Sequence, residues 1–123
     1  MAKLILAIDN ESNILEVINM TLYMEGFEVI TAADGAMGVA LAQERNPQLI
    51  LLDVTMPGMD GWQALKLLRE SQAASQIPIY MLTGMANAAD KDRASQEGAT
   101  GYILKPFDID KLAETVKAAL GGS

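Results

Sequence analysis

Residues Leu49 to Gly61 read LILLDVTMPGMDG. Leu49 to Leu52 are four consecutive apolar residues, the pattern of a strand buried on both faces. Such strands belong to parallel sheets covered by helices on each side. The run ends on a carboxylate, Asp53, and Pro57, Gly58 and Gly61 follow. An acid at the carboxyl end of a central parallel strand lies where open α/β sheets place their ligands. Aspartate is also a common turn former, so this stretch alone leaves Asp53 with two readings.

The flanking sequence repeats the pattern. Lys3 to Ile8 is an earlier apolar run that ends in Asp9-Asn10-Glu11-Ser12-Asn13. Ser12 is expected to cap a helix closed by Gly26, with Ile14, Ile18 and Leu22 at four-residue spacing facing the sheet. Met20 and Met24 are expected as core filler on the same helix. Phe27 to Thr31 reads as the second strand and Asp34-Gly35 as a turn. Residues 36–45 read as an alanine-rich helix ending before Asn46-Pro47. After the third strand, Asp60 is placed to cap a helix lined by Trp62, Leu65 and Leu68. Pro78 opens a fourth strand, Ile79 to Leu82, which ends in Thr83-Gly84. Residues 87–97 read as a weak helix whose apolar members are alanines, stopped by Gly98. Gly101 to Leu104 is the fifth strand and ends in Lys105-Pro106. The last helix starts at Asp108, with Ile109, Leu112, Val116 and Leu120 on one face.

Five alternating strand–helix units call for a parallel sheet with right-handed crossovers and helices on both faces. The expected fold class is therefore α/β, a flavodoxin-like three-layer sandwich with strand order 2-1-3-4-5. A single domain is expected over residues 1–120, with 121–123 as a flexible tail.

The composition narrows the chemistry. The 123 residues, half of them apolar, suit one domain with one core. Cysteine and histidine are both absent, which removes disulfides, thiol nucleophiles, imidazole bases and Cys/His zinc sites. The net charge of −7 disfavours nucleic acid and suits a hard cation or a partner with a basic surface. Solubility alone explains most of these charges. No apolar run approaches the length of a membrane span, and the start MAKLILAID enters a strand almost at once. A cytoplasmic protein without a membrane segment is expected.

The loops that follow the strands share one edge of the sheet. They bring together Asp9, Asn10 and Glu11, Asp53 and Thr55, Thr83 and Gly84, and Lys105. In order 2-1-3-4-5 the switch point falls between strands one and three, so Asp9 and Asp53 meet there. Neighbouring carboxylates repel, and a hard divalent ion with oxygen ligands relieves the repulsion. With the hydroxyl of Thr83 and the ammonium of Lys105, the set forms a phosphoryl-transfer constellation. Asp53 is its best-placed nucleophile, since a carboxylate can form an acyl phosphate.

Four separated stretches, IDNE (8–11), LLDVTMPGMDG (51–61), MLTG (81–84) and GYILKPF (101–107), carry a resemblance to a family. Over essentially its whole length the chain resembles the receiver domains of bacterial two-component response regulators, of the chemotaxis-regulator type. The resemblance implies a signalling switch and not an enzyme with its own substrate, catalysing at most its own phosphorylation and dephosphorylation. Asp53 would accept a phosphoryl group from a phosphohistidine on a sensor histidine kinase or phosphotransfer protein. Thr83 would bind that group, Lys105 would pair with it, and Asp9, Asp53 and the backbone carbonyl of Thr55 would hold Mg²⁺. Lys105-Pro106 would be a cis peptide. Tyr102 would be the aromatic that swings inward in the active state and relays the change, through the helix 4–strand 5–helix 5 face, to a target protein or output domain.

The chain departs from the family pattern at Asn10, where a second acid normally contacts the metal. An amide oxygen can still ligate, so weaker Mg²⁺ binding is expected; Glu11 stands next to it as a compensating acid or a plain solvated one. Thr55 and Met85 match positions that tune phosphoryl lifetime, and an apolar Met85 is expected to hinder attacking water. The helix over 87–97, anchored by alanine methyls beside Thr83 and Tyr102, is a candidate bistable element. Its other reading is an ordinary exposed helix with Lys91 and Arg93 as solvated charges.

Other functions fit less well. A haloacid-dehalogenase-type phosphatase would want an acid where Thr55 stands. An FMN-binding flavodoxin needs a Ser/Thr/Gly-rich phosphate loop where this chain has Asp-Asn-Glu. The stronger rival is a pseudo-receiver, a protein-binding module independent of phosphorylation, which Asn10 supports.

Overall fold

The apolar runs 3–8 and 49–52 become two of the three interior strands of a five-stranded parallel sheet. The computed structural model describes residues 2–84 and 88–121. In it β1 (Leu4–Ile8) lies between β2 (Glu28–Ala32) and β3 (Leu49–Asp53), followed by β4 (Ile79–Thr83) and β5 (Gly101–Leu104). All four pairings are parallel, in the order β2-β1-β3-β4-β5. The order expected from the sequence is the order found.

Side-chain alternation along the strands divides the core into two layers. Leu6, Ile8, Ile50, Leu52, Ile79 and Met81 pack on α2 (Gly35–Arg45), α3 (Gly61–Glu70) and α4 (Ala88–Gln96). Ile5, Ala7, Leu49, Leu51, Leu82 and Ile103 pack on α1 (Ser12–Met24) and α5 (Ile109–Ala119). Residues of β3 are buried throughout, as its unbroken apolar run requires.

Helix ends follow from short polar residues. Asp34 accepts from the Met37 N–H, and Asp108 accepts from Asp110 and Lys111. Asp60 forms a reciprocal capping box with Gln63. Gly26 and Gly98 take left-handed conformations with φ near 92° and 97°, where a Cβ would be strained.

Three local expectations are corrected. Ser12 is the first residue of α1, not its cap; Glu11 occupies the cap position without a side-chain bond. The loop is instead turned by Asp9, whose Oδ1 accepts from the Glu11 N–H. Met20 and Met24 are not core filler, being 66% and 81% exposed. Each stands two residues from the stripe of Ile18 and Leu22, about 200° round a 3.6-residue helix, and therefore points away from the sheet. Ile109, 54% exposed, sits in the first turn of α5 beside Met20 and Met24 instead of on the sheet. Of the predicted α5 face, Leu112 and Val116 are fully buried and Leu120 is half-buried.

Candidate functional site at the carboxyl edge of the sheet

Strand register builds this site. Ile8 is paired with Leu52, so the next residues of the two strands, Asp9 and Asp53, leave the sheet side by side. Asp53 is in turn paired with Leu82, and Thr83 with Leu104, which sets Thr83 and Lys105 along the same edge. Asp9, Asp53 and Thr83 are all buried, at 0, 4 and 8% exposure. Polar groups are that deeply buried only when their bonding is satisfied.

Lys105 ties the two acids. Its Nζ donates to Asp9 Oδ2 at 2.7 Å, lies 3.2 Å from Asp53 Oδ1, and is 3.8 Å from Glu11 Oε1. Backbone groups fix the rest: Thr55 N–H reaches Asp53 Oδ1 at 3.4 Å, and Lys105 N–H donates to the Thr83 carbonyl at 2.7 Å. The Lys105–Pro106 peptide is cis.

Helix α3 presses on the same strand end. The Gly61 N–H donates to the Val54 carbonyl at 2.9 Å. A Cβ on Gly61 would fall 2.2 Å from the Asp53 carbonyl oxygen. Glycine at 61 therefore allows the helix to approach the acid-bearing strand.

The electrostatics follow from this crowding. Burial raises the Asp53 carboxyl above its ordinary value, the Asp9 charge raises it further, and Lys105 works against both. For Lys105, burial acts to lower the ammonium, but the bond to Asp9 and the charges of Asp53 and Asp9 prevail and hold it above its usual value. Two buried carboxylates share a single ammonium here, and a second cation would relieve the residual repulsion.

The donor set fits a metal that keeps its own water. Among the described residues no group of three or more acidic, histidine or cysteine side chains is arranged to hold an ion. Two neighbouring buried carboxylates match instead the sparse protein ligation of Mg²⁺. Asp9, Asp53 and the carbonyl of Thr55 would hold it.

Not every candidate joins this cluster. Asn10 is exposed, and Glu11, its side chain 58% exposed, meets the cluster only at its rim, 3.8 Å from Lys105 Nζ. Met85 lies outside the described residues. Tyr102, 36% exposed, borders with Thr83 a narrow gap beneath α4. Sequence reasoning left out Gly61 and Trp62 as parts of the site and named Lys91 and Arg93 only as solvated charges in the alternative reading of the helix. Lys91 Nζ lies 5.3 Å from the Tyr102 ring centroid, and the Arg93 guanidinium carbon 4.4 Å from that of Trp62. Only the four-residue spacing of Arg93 and Glu97, which are ion-paired, gave a local signal that Arg93 is held.

Known proteins share this fold. The chain is 37% identical to the DNA-binding dual master transcriptional regulator RpaA of Synechocystis, over 94% of this chain and 48% of RpaA. It thus spans about half the length of that relative, as it does of several other curated relatives it matches. Chemotaxis protein CheY4 of Vibrio cholerae superposes with a TM-score of 0.92 at 34% identity, covering 97% of this chain and 99% of that one. The receiver domain of the sensor histidine kinase PA1611 from Pseudomonas aeruginosa superposes with a TM-score of 0.90 at 28% identity. The match covers 98% of this chain and 99% of that one, and PA1611 carries a magnesium ion coordinated in its active site cleft. With residues 5–117 matching the response regulator receiver domain as a family, the chain belongs to the receiver domains of two-component response regulators.

Proposed function

We propose that this receiver domain is a phosphorylation-dependent switch in which Asp53 is the phosphoacceptor. One observation carries the reading: two buried carboxylates, Asp9 and Asp53, flank the Lys105 ammonium at 2.7 and 3.2 Å. Receiver domains are signalling domains and not classical enzymes, and the chemistry assigned here is self-modification. An Asp53 carboxylate oxygen attacks the phosphorus of a phosphohistidine on a sensor kinase or phosphotransfer protein. The P–N bond breaks, and its electron pair leaves on the imidazole.

Bound Mg²⁺ would supply charge neutralisation for the phosphoryl oxygens. Lys105 keeps Asp53 ionised for attack and afterwards donates to a phosphoryl oxygen. The Thr83 hydroxyl donates to another, and Tyr102 lies beside Thr83 to relay the change. The switching unit spans residues 1–120, acts in the cytoplasm, and passes its state to a target protein or output domain. RpaA is a DNA-binding regulator, but the charge of −7 on this chain opposes direct contact with nucleic acid.

The test is incubation with a small phosphodonor and Mg²⁺, read by intact mass. One phosphoryl group is expected on the parent and none on Asp53→Asn. No addition at any Mg²⁺ concentration would favour the pseudo-receiver, the reading supported by the exposed Asn10. In a Mg²⁺ titration, Asn10→Asp is expected to bind more tightly than the parent; equal affinities would remove any role for Asn10. An acyl phosphate that decays no faster in Met85→Glu would remove the lifetime role of Met85, and the same comparison at Thr55 tests its part.

A further inference from the structure

Two of the described side chains of α4 set a cation on an aromatic ring. Among its described side chains, those of residues 91–96, only Ala94 is buried. Lys91 instead lies over Tyr102 on β5, and Arg93 over Trp62 on α3. The Glu97 carboxylate, paired with Arg93 one turn on, holds the guanidinium in place. The carboxyl end of the helix is tied separately, by Ala99 N–H to the Ala94 carbonyl at 2.9 Å and by Arg69 Nε to the Gly98 carbonyl at 2.8 Å.

Beneath the helix is a gap of about 10 Å³ bordered by Val54, Trp62, Met81, Thr83, Ala94 and Tyr102. That is room for about one water, whereas a cavity of roughly 150 Å³ accommodates a benzene ring. The gap as it stands is too small to take a whole ring. Trp62 also follows Gly61, whose N–H holds the Val54 carbonyl directly after Asp53.

We propose that Lys91 and Arg93 are the fastening of α4, positioning residues whose two cation–ring contacts set how readily the helix lifts from its seat. The Arg93–Trp62 contact makes a second connection from the Asp53 strand end to α4, distinct from the one through Thr83 and Tyr102. This last step rests on Asp53 being the phosphoacceptor; the fastening itself does not.

The experiment is amide hydrogen exchange on the full unphosphorylated chain, comparing the parent with Lys91→Gln, Arg93→Gln and the double variant. Exchange across 88–96 is expected to rise about 3-fold in each single variant and about 10-fold in the double, with α1 and α5 unchanged. Tyr102→Leu should match Lys91→Gln, and adding Lys91→Gln to it should do nothing more. The emission of Trp62, the sole tryptophan, should shift in Arg93→Gln and not in Lys91→Gln. Unchanged exchange in the double variant would overturn the fastening. Intact mass after phosphodonor treatment of the same samples separates the two ideas. Faster α4 exchange without phosphoryl uptake in any protein would leave the fastening standing and remove the switch it serves.

Discussion

Helices α3 and α4 lie on the same face of the sheet, at the same edge, and are built on different principles. Helix α3 starts on a reciprocal capping box and buries Trp62, Ala64, Leu65 and Leu68. Arg69 near its end donates to the carbonyls of Ala74, Ser75 and Ile77. Helix α4 buries Ala94 among its described side chains, sets Lys91 and Arg93 on two rings, and is tied at its carboxyl end by Arg69 on the Gly98 carbonyl. A buried leucine contributes about 2 kcal/mol and a methyl about 0.8; an exposed cation on a ring adds about 0.5–1. The neighbour that fixes the Asp53 strand end is thus anchored by area, whereas the described side chains of the neighbour that borders Tyr102 add contacts comparable to thermal energy. Elements that move in a switch are drawn from the weakly held end of that range.

The contrast can be broken, and the largest effect is expected in the α3 core. Leu65→Ala should lower unfolding stability by about 3 kcal/mol in urea denaturation; a loss below 1 would mean that α3 is no better anchored than α4. Gly61→Ala should cost about 2 kcal/mol, because its methyl meets the Asp53 carbonyl. It should also slow phosphoryl uptake about 10-fold by displacing the acid. Unaltered uptake would show that α3 does not set the position of Asp53. Asp60→Ala, which deletes the cap, should cost about 1 kcal/mol in the same denaturation.

Ala94→Gly sharpens the other side. It should speed exchange in α4 by about 3-fold, reflecting a local cost of about 0.7 kcal/mol, while leaving the global unfolding midpoint in place. A matching fall in the midpoint would place α4 in the same cooperative unit as α3.

The smallest effect is one of pH. Burial, reinforced by Asp9, raises Asp53 above its ordinary value of 3.8. Stability is therefore lost as pH rises through the raised value and regained as pH falls below it. With Mg²⁺ chelated, Asp53→Asn should be more stable than the parent at pH 7. That advantage should shrink as pH falls through the raised pKa and vanish below 3.8. An advantage independent of pH would point to packing instead of charge.

How much of this was legible depends on range. The alternation of strands and helices, the order of the sheet, the Asp60 cap, the start of the last helix at Asp108, and the meeting of Asp9, Asp53 and Lys105 were all readable. Each follows from local period, short polar caps or the topology of parallel sheets. Met20, Met24 and Ile109 were misread because apolar character does not say which side of a helix is covered; the sheet covers the Ile18–Leu22 stripe and leaves the far side open. Ser12 was misread because Asp9, three residues earlier, turns the loop in its place.

The sequence by itself determined an α/β fold whose acids, hydroxyl and lysine emerge at one sheet edge. It could do so because strand ends are marked by where apolar runs stop. Only the tertiary structure decided that Gly61 lets α3 close on Asp53, and that Lys91 and Arg93 lie on rings. Those pairs join residues 11 and 31 positions apart in the chain. Their distance is set by how helices pack across a twisted sheet, which no local pattern encodes.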